Sequence, residues 1–249
     1  MDLLHYITHA QHTQAIEEGA RLCYNKTNNK TQEDTCVSLK EQMKSGKVYV
    51  EFGHASEEDK AYEKETETQR QVCKEICFDY NHTRPMDLER KAELLDKLLG
   101  SHGKSLWMEA PINFAYGCNT HMGDHVYANF NLTVVDDGEC HIGSYVMFAP
   151  NVTISTTGHP VHPMFRDKGG QFSLPVVIKD HVWIGSNVVI LPGVTIGENS
   201  VIGAGSVVTH DIPANTVAFG APCRPVRPIT DEDLIYYRKG VKVNEDWDR

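Results

Sequence analysis

Long apolar runs are missing from this chain of 249 residues. Its longest is a handful of residues, whereas a helix needs about 20 to span a bilayer, so no membrane segment is expected. The start, Met1-Asp2-Leu3-Leu4-His5, has neither a basic n-region nor an apolar h-region, and no secretory leader is read there. A basic excess is missing too. Lys plus Arg is 24 against 34 for Asp plus Glu; residues 1–100 (14 against 19) and 101–249 (10 against 15) each come to −5. Neither half offers the positive patch that nucleic acid or anionic lipid requires. A disulfide framework is also absent: seven cysteines at irregular spacings fit reduced thiols, and a cytoplasmic protein is expected. In that setting the Asn-x-Thr sequons at Asn25, Asn29, Asn81, Asn131 and Asn151 carry no function. Apolar residues at 40% and charged ones at 23% are ordinary globular usage, which excludes wholesale disorder and collagen.

Four stretches differ in character. Residues 1–45, rich in Gln, Thr, Asn and Lys, read as a poorly ordered or weakly helical arm. Residues 46–110 read as a helical segment. There Val72, Ile76 and Tyr80 fall at four-residue intervals on one face, and Cys73 and Cys77 read as packing residues. A second helix has Pro85 in its first turn, Leu88, Leu95 and Leu99 on one face, and Gly100 at the position of a C′ glycine. Residues 111–228 read as a β-solenoid, and residues 229–249 as a C-terminal tail.

The solenoid reading rests on a period of six. Large residues recur at Tyr116, Met122, Ala128 (a small exception) and Val134; after a two-residue slip at Ile142, Phe148 and Ile154; and after a long gap at Ile178, Ile184, Ile190, Ile196, Ile202 and Val208. Four residues after these anchors come small or β-branched residues: Val146, Val152, Val182, Val188, Val194, Ser200 and Ser206. A short strand on each side of a triangular prism, with the anchor pointing in and Gly or Asn at the corner, gives that pattern, and eighteen residues complete a coil. A sandwich needs alternation with turns every ~8–12 residues and a propeller needs repeats of ~40 or more, so neither fits.

The run Ile178 to Val208, with Trp183-Ile184-Gly185-Ser186, Pro192-Gly193-Val194-Thr195-Ile196-Gly197 and Ile202-Gly203-Ala204-Gly205-Ser206, resembles the left-handed parallel β-helix of the hexapeptide acyltransferases. Tyr127-Ala128-Asn129-Phe130-Asn131, Thr157-Gly158-His159-Pro160-Val161-His162 and Gly220-Ala221-Pro222-Cys223-Arg224 are similar to the galactoside and maltose O-acetyltransferases within that superfamily. The similarity covers residues 86–243, and residues 43–80 resemble the N-terminal helical segment of the family with an insertion. The resemblance implies acetyl-coenzyme A as co-substrate, a small sugar or glycoside as acceptor, direct acetyl transfer, and a homotrimer with sites between subunits.

Such transfer needs a base for the hydroxyl proton, a donor for the developing oxyanion and a surface aligning both substrates. His159 opens the 155–177 interruption, where side chains leave the packed prism, and an imidazole titrating near about 6.5 suits a general base. In the Gly-His-Pro-Val-His context it is the expected base, and His162 is expected to be loop surface. Ser186 follows a corner glycine, with a hydroxyl and N–H able to donate, and by resemblance it contacts the acetyl donor. Asn129 and Asp137 match family positions that hold the acceptor, Tyr127 adds a wall beside it, and Glu51 corresponds to an acidic acceptor contact. Ala204 and Thr209 match positions along the pantetheine. Arg224 and Arg227 supply charge for the coenzyme phosphates. His210 stands where the family carries lysine, and Ala115 where the galactoside enzyme has serine.

Two rival functions use the same fold. A zinc enzyme of the gamma carbonic anhydrase type would draw on His121, His125, His141, His159, His162 and His181, but no tight ligand set is legible and no metal is expected. An inactive trimerisation scaffold needs no histidine in the interruption.

Overall fold

The computed structural model describes residues 37–244. A side chain repeated every six residues can stack on its own copy only if each coil has three short sides, and the strand pairing follows that rule. Three parallel sheets form three faces. On face 1 the inward column is Met108, Ala128, Phe148, Ile184, Ile202 and Ala218; on face 2 it is Phe114, Val134, Ile154, Ile190 and Val208; on face 3 it is Met122, Ile142, Ile178 and Ile196. All of these side chains are buried, as are the expected corner partners from Val146 to Ser206. Ser200 and Ser206 keep their hydroxyls satisfied inside by donating to the carbonyls of Pro213 and Gly203.

Two of the three corners turn with positive φ, held largely by residues whose short amide side chains tolerate it. Between faces 1 and 2 stand Asn131, Asn151 and Asn187, whose side-chain amides donate up the column at 2.8 and 3.2 Å. Between faces 3 and 1 stand His125, Tyr145, His181, Asn199 and Asn215. The corner between faces 2 and 3 is irregular. The chain takes two residues beyond the six-residue pitch between Phe114 and Met122, and again between Val134 and Ile142, and it inserts the 155–177 interruption between Ile154 and Ile178. Extra residues of successive coils therefore pile on one corner.

This register corrects one anchor. Tyr116 is buried outside the prism, at the irregular corner, where its N–H donates to Asp136; Phe114 is the interior residue. The strands also begin earlier than residue 111, with Ser101–His102 and Trp107–Met108.

Helix α1 (Leu39–Lys44) is closed by a Ser38/Glu41 capping box, so the stretch read as an arm contains a short capped helix; residues 1–36 lie outside the described residues. Helix α2 (Glu57–His82) covers the open end of the prism. Its buried face is Cys73, Cys77 and Tyr80, a spacing of four and then three; Val72 is half-exposed, so the face is rotated from the expected one. Tyr80 donates to the Met108 carbonyl at 2.6 Å, and Asn81 bonds both backbone groups of Ile112, tying α2 to the first coil. The Cys73 thiol, its pKa raised by the contact with Cys77 and then by burial, donates to the Phe114 carbonyl, which fits the packing role. In helix α3 (Leu88–Leu98) Asp87 is the N-cap and Pro85 lies before the helix; Leu94, Leu95 and Leu98 are buried while Leu88 faces solvent. Gly100 is not a left-handed cap. A Cβ there would meet the Cys118 carbonyl oxygen at 2.2 Å, so close backbone approach is what requires glycine.

The interruption is ordered. Thr157–Gly158 pairs antiparallel with Phe172–Ser173, and Gly170–Gln171 pairs antiparallel with Tyr49–Val50. The tail contains a one-turn helix, Glu232–Ile235, and a hairpin of Tyr236–Arg238 with Val241–Lys242. Among the described residues no helix is long and apolar enough to cross a membrane.

Ile190 is fully buried in the middle of its column, whereas Leu88 is 45% exposed. Ile190→Ala should lose about 2–5 kcal/mol in urea unfolding, and Leu88→Ala should stay within about 0.5 kcal/mol of the wild type. Equal losses would contradict the assigned inward column.

Candidate active site

The irregular corner collects polar side chains from four segments. Glu51, almost fully buried after the strand Tyr49–Val50, accepts from the Tyr116 hydroxyl at 2.8 Å and from the Arg70 guanidinium of α2. Gln171, from the interruption, reaches the Tyr49 hydroxyl at 2.9 Å and the second Glu51 oxygen at 3.4 Å. Tyr49 in turn bonds Ser173 at 2.8 Å. The Arg70 guanidinium lies 5.2 Å from the centre of the Tyr116 ring, so one cation is shared between a carboxylate and an aromatic face.

Asp137 stands beside this network. Burial raises its carboxyl pKa, and the Glu51 charge raises it further, while Arg70 and His159 pull the other way. Two acids of like charge, one cation and one imidazole thus sit within electrostatic reach of each other. Next to them is a pocket of about 240 Å³ lined by residues including Tyr62, Gln69, Tyr116, Asn119, Asp137 and Ser173. It is smaller than the ~300–1,000 Å³ of drug-sized sites, and its lining suits a small polyhydroxyl ligand.

His159 is held by one contact: Nδ1 lies 2.9 Å from the Gly170 carbonyl oxygen. A carbonyl only accepts, so Nδ1 carries the proton and Nε2 keeps a free lone pair. The antiparallel pairing of 157–158 with 172–173 brings Gly170 to that position. His162 is exposed and accepts from the Met164 N–H as the cap of a one-turn helix, in keeping with loop surface.

The remaining candidates lie elsewhere on the chain. Tyr127 projects from the outer side of face 1, in the column of Trp107, Met147 and Trp183. Asn129, Ser186 and Ala204 follow the strands of face 1, at the corner between faces 1 and 2. Thr209 and His210 follow the last strand of face 2, with 2.7 Å between the hydroxyl and Nδ1. Arg224 and Arg227 are exposed on the strand Cys223–Pro228, which pairs antiparallel with Thr216–Gly220 at the end of face 1. Arg227 is held bidentately by Asp233 at 2.8 and 2.7 Å, so it would have to exchange that partner to receive a phosphate. One chain thus brings Asp137 and His159 together and holds Asn129, Ser186 and Ala204 at another corner.

Of the histidines in the coils, His125 and His181 stack on either side of Tyr145 as a corner ladder. His121 and His141 meet on face 3 with Glu139 between them.

Residues 175–210 match the bacterial transferase hexapeptide (six repeats), and residues 42–103 match the maltose acetyltransferase hexapeptide capping motif. The chain is 46% identical over 207 residues to a galactoside O-acetyltransferase of Escherichia coli K12, spanning 83% of this chain and 97% of that protein. It belongs to the galactoside and maltose O-acetyltransferases of the hexapeptide-repeat superfamily. The acetyltransferase is also 48% identical to a galactoside O-acetyltransferase of Lactococcus lactis over 67% of this chain and 81% of that one. A solved galactoside acetyltransferase in complex with coenzyme A superposes with a TM-score of 0.75 at 45% identity, covering 83% of this chain and 98% of the other. The coils are accordingly those of the left-handed parallel β-helix expected from the resemblance.

Tyr49, Arg70, Gln171 and Ser173 carry no signal in the sequence. No periodicity marks them, because each reaches the corner through pairing of distant segments. Asp136, in the Asp136-Asp137-Gly138 slip, is fully buried and accepts from the Tyr116 N–H and the Thr120 hydroxyl. Burial pushes its pKa up to about 6. The folded chain then holds that proton more tightly than the unfolded one, where Asp titrates near about 3.9. Stability should therefore fall as pH rises from about 4 to about 6 and level off above. Asp136→Asn should remove this fall, so the difference between the two urea-unfolding curves should change by about 3 kcal/mol across that window. Parallel curves would contradict the assignment.

Proposed function

We propose that this acetyltransferase moves the acetyl group of acetyl-coenzyme A directly to a hydroxyl of a small sugar or glycoside, with His159 as general base. The observation that carries this reading is the fixed tautomer of His159, whose Nδ1 is tied to the Gly170 carbonyl within electrostatic reach of Asp137, which with Tyr116 lines the polar pocket. A free Nε2 lone pair is what takes a hydroxyl proton as the oxygen attacks a thioester carbonyl. Asp137 and Asn129 bind sugar hydroxyls through carboxylate and amide groups, with Tyr127 as a wall near Asn129. Direct transfer is supported by the thiols: Cys118 and Cys223 both have their pKa raised by burial, which leaves them poor nucleophiles.

Ser186 offers a hydroxyl and an N–H to the donor carbonyl, Ala204 and Thr209 leave room along the edges for the pantetheine, and Arg224 and Arg227 take the phosphates. His210, where the family has lysine, contributes less charge there. Asp137 and His159 occupy one corner of the chain, and Asn129, Ser186 and Ala204 another, so a site that uses all of them needs two copies. Face 1 gives the copies a surface to share: Trp107, Met147 and Trp183 project from it in one column and are each about half-exposed. A homotrimer with sites between subunits meets both requirements. Ala115, in place of the family serine, sits next to Tyr116 and is expected to change which sugar is preferred.

A general base contributes about 10²–10⁴ in rate. His159→Ala should lower kcat by that order in steady-state assays of coenzyme A release, with both substrates still bound. His162→Ala should change kcat far less. Near-normal turnover in the first variant, or greater damage in the second with folding intact, would overturn the assignment.

A further inference from the structure

Face 3 carries an arrangement that the transfer reaction does not use. His121 and His141 are in-register neighbours on adjacent parallel strands, and their rings stack 5.2 Å apart at 14°. Glu139, two residues before His141, turns its Oε2 toward both: 3.1 Å from Nε2 of His121 and 3.8 Å from Nε2 of His141. Nearest ligand atoms of all three residues fall within 4.8 Å of one another. Zinc bonds to imidazole nitrogen and carboxylate oxygen at about 2.0–2.2 Å, so ligand atoms on a tetrahedral ion stand about 3.3–3.6 Å apart. The two Glu139 separations bracket that value; the rings stand nearly parallel, so binding an ion requires them to turn until both Nε2 lone pairs converge on it.

Two further features favour an ion over a bare ion pair. The strand ladder fixes the spacing, since Thr120, His121 and Met122 pair one-to-one with Cys140, His141 and Ile142, and both flanking side chains on each strand are buried in the prism. Nδ1 of His121 lies 2.9 Å from the hydroxyl of Ser101, from the coil below. A hydrogen bond from the far ring nitrogen to an outer partner is how ligating histidines are oriented, and a bound ion would take the place of the proton that Nε2 shares with Glu139. We propose that His121, Glu139 and His141 bind one Zn²⁺ per chain, with the fourth position open to water, as a clamp across the first coils. Glu139 also lines the pocket that contains Asp137, so the ion stands at the back of the acceptor wall. The His₂Glu donor set is borderline in softness and suits Zn²⁺ or Cu²⁺ better than Mg²⁺ or Ca²⁺.

Isothermal titration of the full-length protein with Zn²⁺ tests this. The expected result is one ion per chain, with affinity at least tenfold weaker in Glu139→Gln and lost in the His121→Gln/His141→Gln double variant. Ser101→Ala, which removes only the orienting hydroxyl, should weaken binding about 10–100-fold. His125→Gln and Cys118→Ser are controls expected to leave the affinity unchanged. Electron paramagnetic resonance of the Cu²⁺-loaded protein should show coupling to two imidazole nitrogens, lost in the double variant. Absence of stoichiometric Zn²⁺ binding by the wild type, or binding at unchanged affinity in the correctly folded double variant, would overturn the proposal.

Discussion

The structure depends on vertical stacking of identical positions. Each inward residue rests on its counterpart one coil away, and the parallel ladder admits no slip without turning a whole side outward. Ile154, Ile190 and Val208 on one face, and Ile142, Ile178 and Ile196 on another, show how little variation this interior accepts. The six-residue pitch is therefore rigid along the sides. Any extra residue must leave at a corner, and the corner between faces 2 and 3 is where the chain lets this happen three times. The polar cluster at that corner is the sum of those departures: Tyr116 from the first, Asp137 from the second, His159 and Gln171 from the third.

Charge arrangement follows from that geometry. Glu51, Asp136 and Asp137 are acids brought out of bulk water together, and Arg70 is the cation that reaches Glu51. A buried carboxylate needs such a partner, and one guanidinium also stacking on Tyr116 fixes where the carboxylate points. Outward positions on the sides do different work. Face 1 presents Trp107, Met147 and Trp183, a half-exposed apolar column. Face 3 presents Ser101, His121 and His141, a polar column suited to water or an ion.

The solenoid was legible because its signal repeats: thirteen positions in phase describe a prism with no knowledge of contacts, and all of them are buried. Tyr116 shows where that logic fails. It lies six residues before Met122, as an anchor should, but the two-residue slip falls between them, and a large apolar ring is equally at home over Arg70. The helix faces are only partly as expected: Tyr80, Leu95 and Leu99 are buried, but Val72 and Leu88 are apolar yet exposed, whereas Cys73 and Leu94 sit where the first coil needs them. His159 and Asp137 were legible through local motifs. Glu51, Arg70 and Gln171 meet through an antiparallel strand pairing between residues 49–50 and 170–171, a contact over more than a hundred residues that no local pattern encodes.

The central claim is that the corner of Asp137 and His159 on one chain and the corner of Asn129, Ser186 and Ala204 on another together form each site. Mixed oligomers test it directly. One parent carries His159→Ala, which disables the first corner; the other carries Ala204→Trp, which blocks the second with a bulky ring. Each parent alone should be nearly inactive. Denatured together in equal amounts and refolded, they should recover about a quarter of wild-type activity, because each mixed trimer regains one site built from two intact corners. Activity that stays at the level of the parents, with mixed trimers present by mass spectrometry, would contradict the shared site and return the reaction to a single chain.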